Sequence, residues 1–138
     1  MTNAFRMTIG ADAGDVARVN AAFGEFADTH ALPADIRRSV LVALDELLKN
    51  TIEYGFKGRA GGEMTVEAEL GADRMKVTLT DDGAPFDPLS RIEPDTTLSI
   101  DRRRIGGLGI HLVRKMMDEV SYQRRADRNV LVLEKRLH

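Results

Sequence analysis

Two helical periodicities follow one another in the first half of the chain, and period-two alternation takes over in the second. That order constrains the fold more than any other feature. From Asp12 to about Thr29, Val16, Val19, Phe23 and Phe26 recur at the spacing of one helix face. Pro33 opens a second helix, at a position where a missing N–H matters least, and that helix is expected to run to about Tyr54 and stop at Gly55. A short strand precedes both, because Phe5, Met7 and Ile9 alternate with polar residues. Two further strands follow. Met64, Val66, Ala68 and Leu70 share one face, the turn "GAD" reverses the chain, and Met75, Val77 and Leu79 form a second inward set. After a long loop, "GGLGIHLVRKMM" reads as a Gly-rich turn into a helix, and "EVSYQRR" with "NVLVLEKRL" as a closing hairpin. The order β-α-α-β-β-loop-α-β-β predicts an α+β fold. Its form is a two-layer α/β sandwich, with about three helices on one face of a mixed, mostly antiparallel sheet; it is not the alternating order of a Rossmann fold.

A length of 138 residues suits a single domain over residues 1–138 with a real core. A net charge of −2 gives no electrostatic case for direct nucleic-acid binding or for an anionic membrane as partner. With no cysteine, disulfides and thiol chemistry are excluded. The opening "MTNAFRMTIG" has neither a signal-peptide core nor a membrane-spanning run, so a cytoplasmic protein is expected.

The stretch "TLTDDGAPFDP" (78–88) places an acid in line with apolar side chains. Strand side chains alternate, so if Met75, Val77 and Leu79 face the helices, Asp81 does too and Asp82 points away. A carboxylate on the core side of a sheet is costly unless something satisfies it. Parity leaves two readings open: Asp81 caps the turn through backbone N–H groups, or it receives an N–H donor from a ligand. An adenine amino group would suit the second, whereas guanine would present a carbonyl.

Glu46 and Asn50 lie four residues apart on the second helix and so roughly 40° apart around its axis. Ile36, Val40, Ala43, Leu47, Thr51 and Tyr54 form its inward stripe, with Asp45 and Lys49 toward solvent. Glu46 and Asn50 border that stripe, where they either bond locally or line a pocket between helix and sheet. "GGLGI" (106–110) opens the next helix, where glycines let backbone N–H groups approach a phosphate. Alone this is a common Gly-rich turn. It is neither a Walker A loop nor a dinucleotide fingerprint, which would need glycine where Leu112 stands.

E-x-x-x-N on a helix, D-x-G-x-P after a strand and G-x-G before a helix occur here in one order. Together they resemble the N, G1 and G2 boxes of the GHKL ATPase superfamily, and "DDGAPFDP" is most similar to the anti-sigma-factor serine/threonine kinases within it. The resemblance covers Phe5 to Leu137. It implies the ATP-binding fold of Bergerat type, with ATP and Mg²⁺ as cofactors. In it Asn50 helps hold Mg²⁺, Asp81 accepts the adenine amine, and Gly83 lets the base approach. Gly107, Leu108 and Gly109 lie at the phosphates, residues 91–105 form the ATP lid with Thr96 and Thr97, and Glu46 is the catalytic base. The resemblance also implies a homodimer, a STAS-domain anti-anti-sigma protein as substrate and a sigma factor as a further partner, with Arg18 in partner binding. A nucleotide-gated partner-binding module without significant kinase activity is the competing reading, because it needs the same pocket.

The chain departs from the pattern at Tyr54, where the family often has histidine, at Lys49 beside Asn50, and in the basic "DRRRIGG". His30, His111 and His138 have no metal-ligand spacing. His111 is read as structural, and Met116 and Met117 as core filler. The basic run 102–104 is either a solvated face or a contact for phosphate or an acidic partner.

Overall fold

A computed structural model of the protein describes residues 3–57, 61–90 and 108–138. The described elements run β1 (Ala4–Gly10), α1 (Ala13–Thr29), α2 (Ala34–Asn50), β2 (Glu63–Leu70), β3 (Arg74–Asp81), α3 (Leu108–Met116), β4 (Glu119–Arg125) and β5 (Arg128–Arg136). The strands form one five-stranded sheet in the order β1-β2-β3-β5-β4. Every described pairing is antiparallel, so the sheet is uniform where the sequence suggested a mixed one. The α+β two-layer arrangement is otherwise as expected.

The alternation in the strands translates directly into burial. Met64, Val66 and Ala68 of β2, Met75, Val77 and Leu79 of β3, and Leu131 and Leu133 of β5 form one core with the inward residues of the helices. On α1 those are Val16, Val19, Phe23 and Phe26. The buried face of α2 is wider than the sequence stripe. Leu44 and Leu48 are fully buried beside Ile36, Val40, Ala43 and Leu47, because α2 packs on the sheet while α1 and α3 flank it. Each such leucine contributes roughly 1.5–3 kcal/mol by leaving water. Tyr54, expected inward, is only half-buried, with its ring centroid 5.7 Å from that of Phe86. Asp45 also differs from expectation: it accepts from Asn20 Nδ2 of α1 at 3.3 Å and pairs with Lys49 at 3.0 Å, tying the two helices together.

Local chemistry sets the ends of the elements. Asp12 caps α1 by accepting the Gly14 N–H at 2.8 Å. The helix closes with Ala31 N–H on Asp28 O and Leu32 N–H on Ala27 O, a Schellman pair that puts Ala31 at φ 52. Pro33 stands at the N-cap of α2 rather than inside it. α2 itself ends at Asn50, and the chain continues as one π turn, Thr51–Gly55, so the helical path stops where the sequence placed it. The β4–β5 hairpin turns on Ala126 (φ 51) and Asp127 (φ 62), the paired left-handed backbone of a type I′ turn. No described helix is long and apolar enough to cross a membrane.

Candidate nucleotide site

The three carboxylates of residues 78–88 do different work. Asp82 accepts the Glu63 N–H at 2.9 Å and fastens the end of β3 to the start of β2. Asp87 accepts the Leu89 N–H at 2.8 Å and caps the short 3-10 turn Pro88–Ser90. Asp81 lies on the helix side of the sheet, as parity requires, and is 4% exposed. Its Oδ1 accepts the Gly83 N–H and Asn129 Nδ2–H, each at 2.9 Å. The turn-capping reading is therefore observed at one oxygen, Oδ1. Oδ1 caps the turn, and Oδ2 receives no donor among the described residues, so it can accept one from a ligand. Burial raises the Asp81 pKa above its ordinary 3.8, against the lowering effect of Asn129 and Gly83.

Asn129 is the residue that sequence reasoning missed. It is 2% exposed and faces Asp81 across the β3–β5 pairing. Its Nδ2 also donates to Ala84 O at 2.8 Å, while its Oδ1 accepts Phe86 N–H at 3.2 Å and the Tyr122 hydroxyl. One side chain thus holds both the carboxylate and the turn that follows it. Asn129 stands 48 residues from Asp81, and only strand register brings them together.

Gly83 is forced by packing. A Cβ there would lie 2.8 Å from Gly55 O and 3.2 Å from Gly55 C, and the Ala84 N–H donates to that same carbonyl at 3.1 Å. The end of the π turn and the turn after β3 are therefore in backbone contact, and this close approach is a reason for glycine independent of any ligand.

Asn50 Nδ2 donates to Glu46 O at 2.8 Å, which fixes the amide with Oδ1 as its remaining acceptor. No cluster of three or more His, Cys, Asp or Glu among the described residues could hold a metal. A single amide oxygen fits Mg²⁺, which keeps waters and substrate phosphates as most of its ligands. Glu46 is half-buried and reaches from α2 to α3: a Cβ on Gly109 would lie 2.6 Å from the Glu46 Cδ. The carboxylate thus lies against the first turn of α3, whose N-terminal N–H groups favour negative charge.

Leu108 begins α3. Gly107, the lid 91–105 with Thr96 and Thr97, and the basic run 102–104 lie outside the described residues. Arg18 lies on α1, its side chain 63% exposed and paired with Asp15 at 2.8 Å.

The helix-flanked antiparallel sheet is the fold of a histidine kinase-like ATPase domain. The family model "Histidine kinase-like ATPase domain" matches residues 9–135, and the chain belongs to that family. It is 33% identical over 102 residues to the serine/threonine-protein kinase BtrW of Bordetella bronchiseptica, across 72% of this chain and 70% of the relative. It is also 37% identical over 83 residues to the serine-protein kinase RsbW of Listeria monocytogenes serovar 1/2a, across 57% of this chain and 53% of that protein. The chain spans about half the length of such RsbW relatives. Among solved structures, the RsbU and RsbW domains of Rv1364c from Mycobacterium tuberculosis share the fold at a TM-score of 0.70 and 16% identity, covering 99% of this chain and 32% of that one. The catalytic domain of histidine kinase ThkA matches at a TM-score of 0.55 and 16% identity, over 95% of this chain and 98% of that one.

Proposed function

We propose that the chain is an ATP- and Mg²⁺-dependent serine/threonine protein kinase and anti-sigma factor. Its substrate is a STAS-domain anti-anti-sigma protein, and as a homodimer it sequesters a sigma factor when that protein is phosphorylated. The observation that carries the proposal is the Glu46 carboxylate lying against Gly109 at the start of α3, where a phosphate chain would meet backbone N–H groups. The names of the relatives, serine-protein kinase and serine/threonine-protein kinase, support the same reaction.

In this reading Asp81 Oδ2 accepts the adenine amino group, and Gly83 keeps the turn close to Gly55 so that the base can enter. Gly107, Leu108 and Gly109 present the phosphate-binding backbone, and Asn50 Oδ1 is the atom that would hold Mg²⁺. The metal supplies neutralisation of the phosphate charge when bound. The substrate hydroxyl oxygen forms a bond to the γ-phosphorus while the bond to the β,γ-bridging oxygen breaks. ADP leaves, and the hydroxyl proton passes to Glu46. Arg18, exposed on α1, is assigned to partner binding.

The test is to mix the protein with Mg²⁺, γ-labelled ATP and the STAS protein encoded nearest to it, beside a Glu46→Ala control. Label on a serine or threonine of the STAS protein, lost in the control, is the expected result. Transfer that survives in the control would remove Glu46 as the base. ATP binding without transfer to any STAS protein would favour the nucleotide-gated binding module instead.

A further inference from the structure

One register row crosses the sheet at its site end: Met64 of β2 faces Asp81 of β3, which faces Asn129 of β5, which faces Arg124 of β4. The row begins in the core and ends in a cation at the sheet edge. Arg124 Nη1 donates to Gly83 O at 2.9 Å, and Tyr122, on the same face of β4, donates its hydroxyl to Asn129 Oδ1. Two side chains of an edge strand therefore support the turn after β3, Arg124 directly and Tyr122 through Asn129, and neither belongs to a motif.

The orientation of the Asn129 amide follows from its partners. The Phe86 N–H can only donate, so Oδ1 must face it; Ala84 O can only accept, so Nδ2 must face that side and Asp81. Tyr122 completes the acceptor capacity of Oδ1, and all four hydrogen-bonding positions of the amide are then in use. With Nδ2 held on Asp81 Oδ1, the carboxylate cannot turn without losing that bond and the one from Gly83. In the proposed nucleotide reading, Oδ2 is left as the atom that would meet the base.

We infer that Tyr122 and Arg124 of β4, acting through Asn129 and Gly83, are positioning residues that set the preference of the site for a base presenting an N–H donor. The inference rests on the proposed nucleotide reading and names a determinant of specificity within it. A loosened Asp81 could rotate, and the turn 83–86 could shift, so that a base presenting a carbonyl would be refused less strongly. Removing either β4 donor should therefore cost discrimination between adenine and guanine more than it costs the fold.

The experiment measures ATP and GTP binding by calorimetry, with Mg²⁺, for the wild type, Asp81→Asn, Tyr122→Phe and Arg124→Gln, alongside thermal melts. In Tyr122→Phe the Asn129 Oδ1 keeps its bond from Phe86, so this variant should fold. The expected result is ATP affinity reduced about 3- to 10-fold in Tyr122→Phe and Arg124→Gln, with the ATP/GTP ratio narrowed at least about threefold. A wild type that binds no ATP would remove the nucleotide reading itself. A wild type that binds ATP, with Asp81→Asn losing it while both β4 variants keep the full ATP/GTP ratio, would overturn the inference alone. Equal losses of ATP and GTP accompanied by a lower melting temperature would also overturn it, since that is the signature of a structural role.

Discussion

The Glu46 carboxylate occupies the space that a side chain on Gly109 would need. The atoms in the way are the far end of a flexible side chain, so a methyl group at Gly109 can be accommodated by moving Glu46. Alanine is also favoured over glycine in a helix by roughly 1 kcal/mol. Gly109→Ala should thus melt at or slightly above the wild-type temperature while phosphotransfer falls by about tenfold or more, a change of ~1.4 kcal/mol in the barrier. Thermal melts beside single-turnover transfer would separate the two effects, and a variant with unchanged transfer would show that the position of Glu46 does not matter.

Gly83 offers no such escape. The atom a Cβ would strike is the backbone carbonyl of Gly55, which already accepts the Ala84 N–H. Gly83→Ala should cost about 1–3 kcal/mol through overpacking. For a chain of this length that corresponds to a melting temperature lower by roughly 4–12 °C. A melt without nucleotide is sufficient, because the effect does not depend on a ligand.

Asp81 sets stability against binding. Burial raises its pKa above 3.8, so the folded state holds that proton more tightly than the unfolded one. The stability linked to this group is fully present below the ordinary carboxylate range and is lost as pH rises through the raised pKa. Asp81→Asn keeps an oxygen for Gly83 N–H and Asn129 and removes the buried charge. At neutral pH the variant should be as stable as the wild type or more so by up to about 1 kcal/mol, while losing ATP. Its advantage in melting temperature should shrink as pH falls. In the wild type, ATP affinity should decline over the same descent, because a protonated carboxyl group no longer offers two acceptors.

Two turns carry residues that their backbones disfavour. Ala31 holds φ 52 at the end of α1, and Ala126 and Asp127 both hold positive φ in the β4–β5 hairpin. Ala31→Gly should stabilise by about 0.5–1 kcal/mol, and Ala126→Asn with Asp127→Gly by a similar amount. Denaturant unfolding would check both, with transfer activity unchanged in Ala31→Gly; the hairpin turn lies two residues from Arg124 and Asn129, so its variants are read by stability alone.

Much of this protein was legible in order and period alone. The strand alternation ending at Asp81 located a buried acid, and the four-residue step from Glu46 to Asn50 set both on the side of α2 that borders the core. Those are consequences of local geometry, since a strand repeats every two residues and a helix every 3.6. Asp45 shows the limit of period: it places the residue toward solvent, where Asn20 of α1 also meets it.

Tertiary structure alone decided which atoms remain available for chemistry. Register set Asn129 against Asp81, used one carboxylate oxygen and left the other. Backbone contact between Gly55 and Gly83, and the approach of Glu46 to Gly109, depend on how α2, the sheet and α3 are stacked. No window of sequence contains both partners of these contacts. The sequence determined which side chains turn inward because that is a property of each element; packing determined what they meet, because that is a property of pairs.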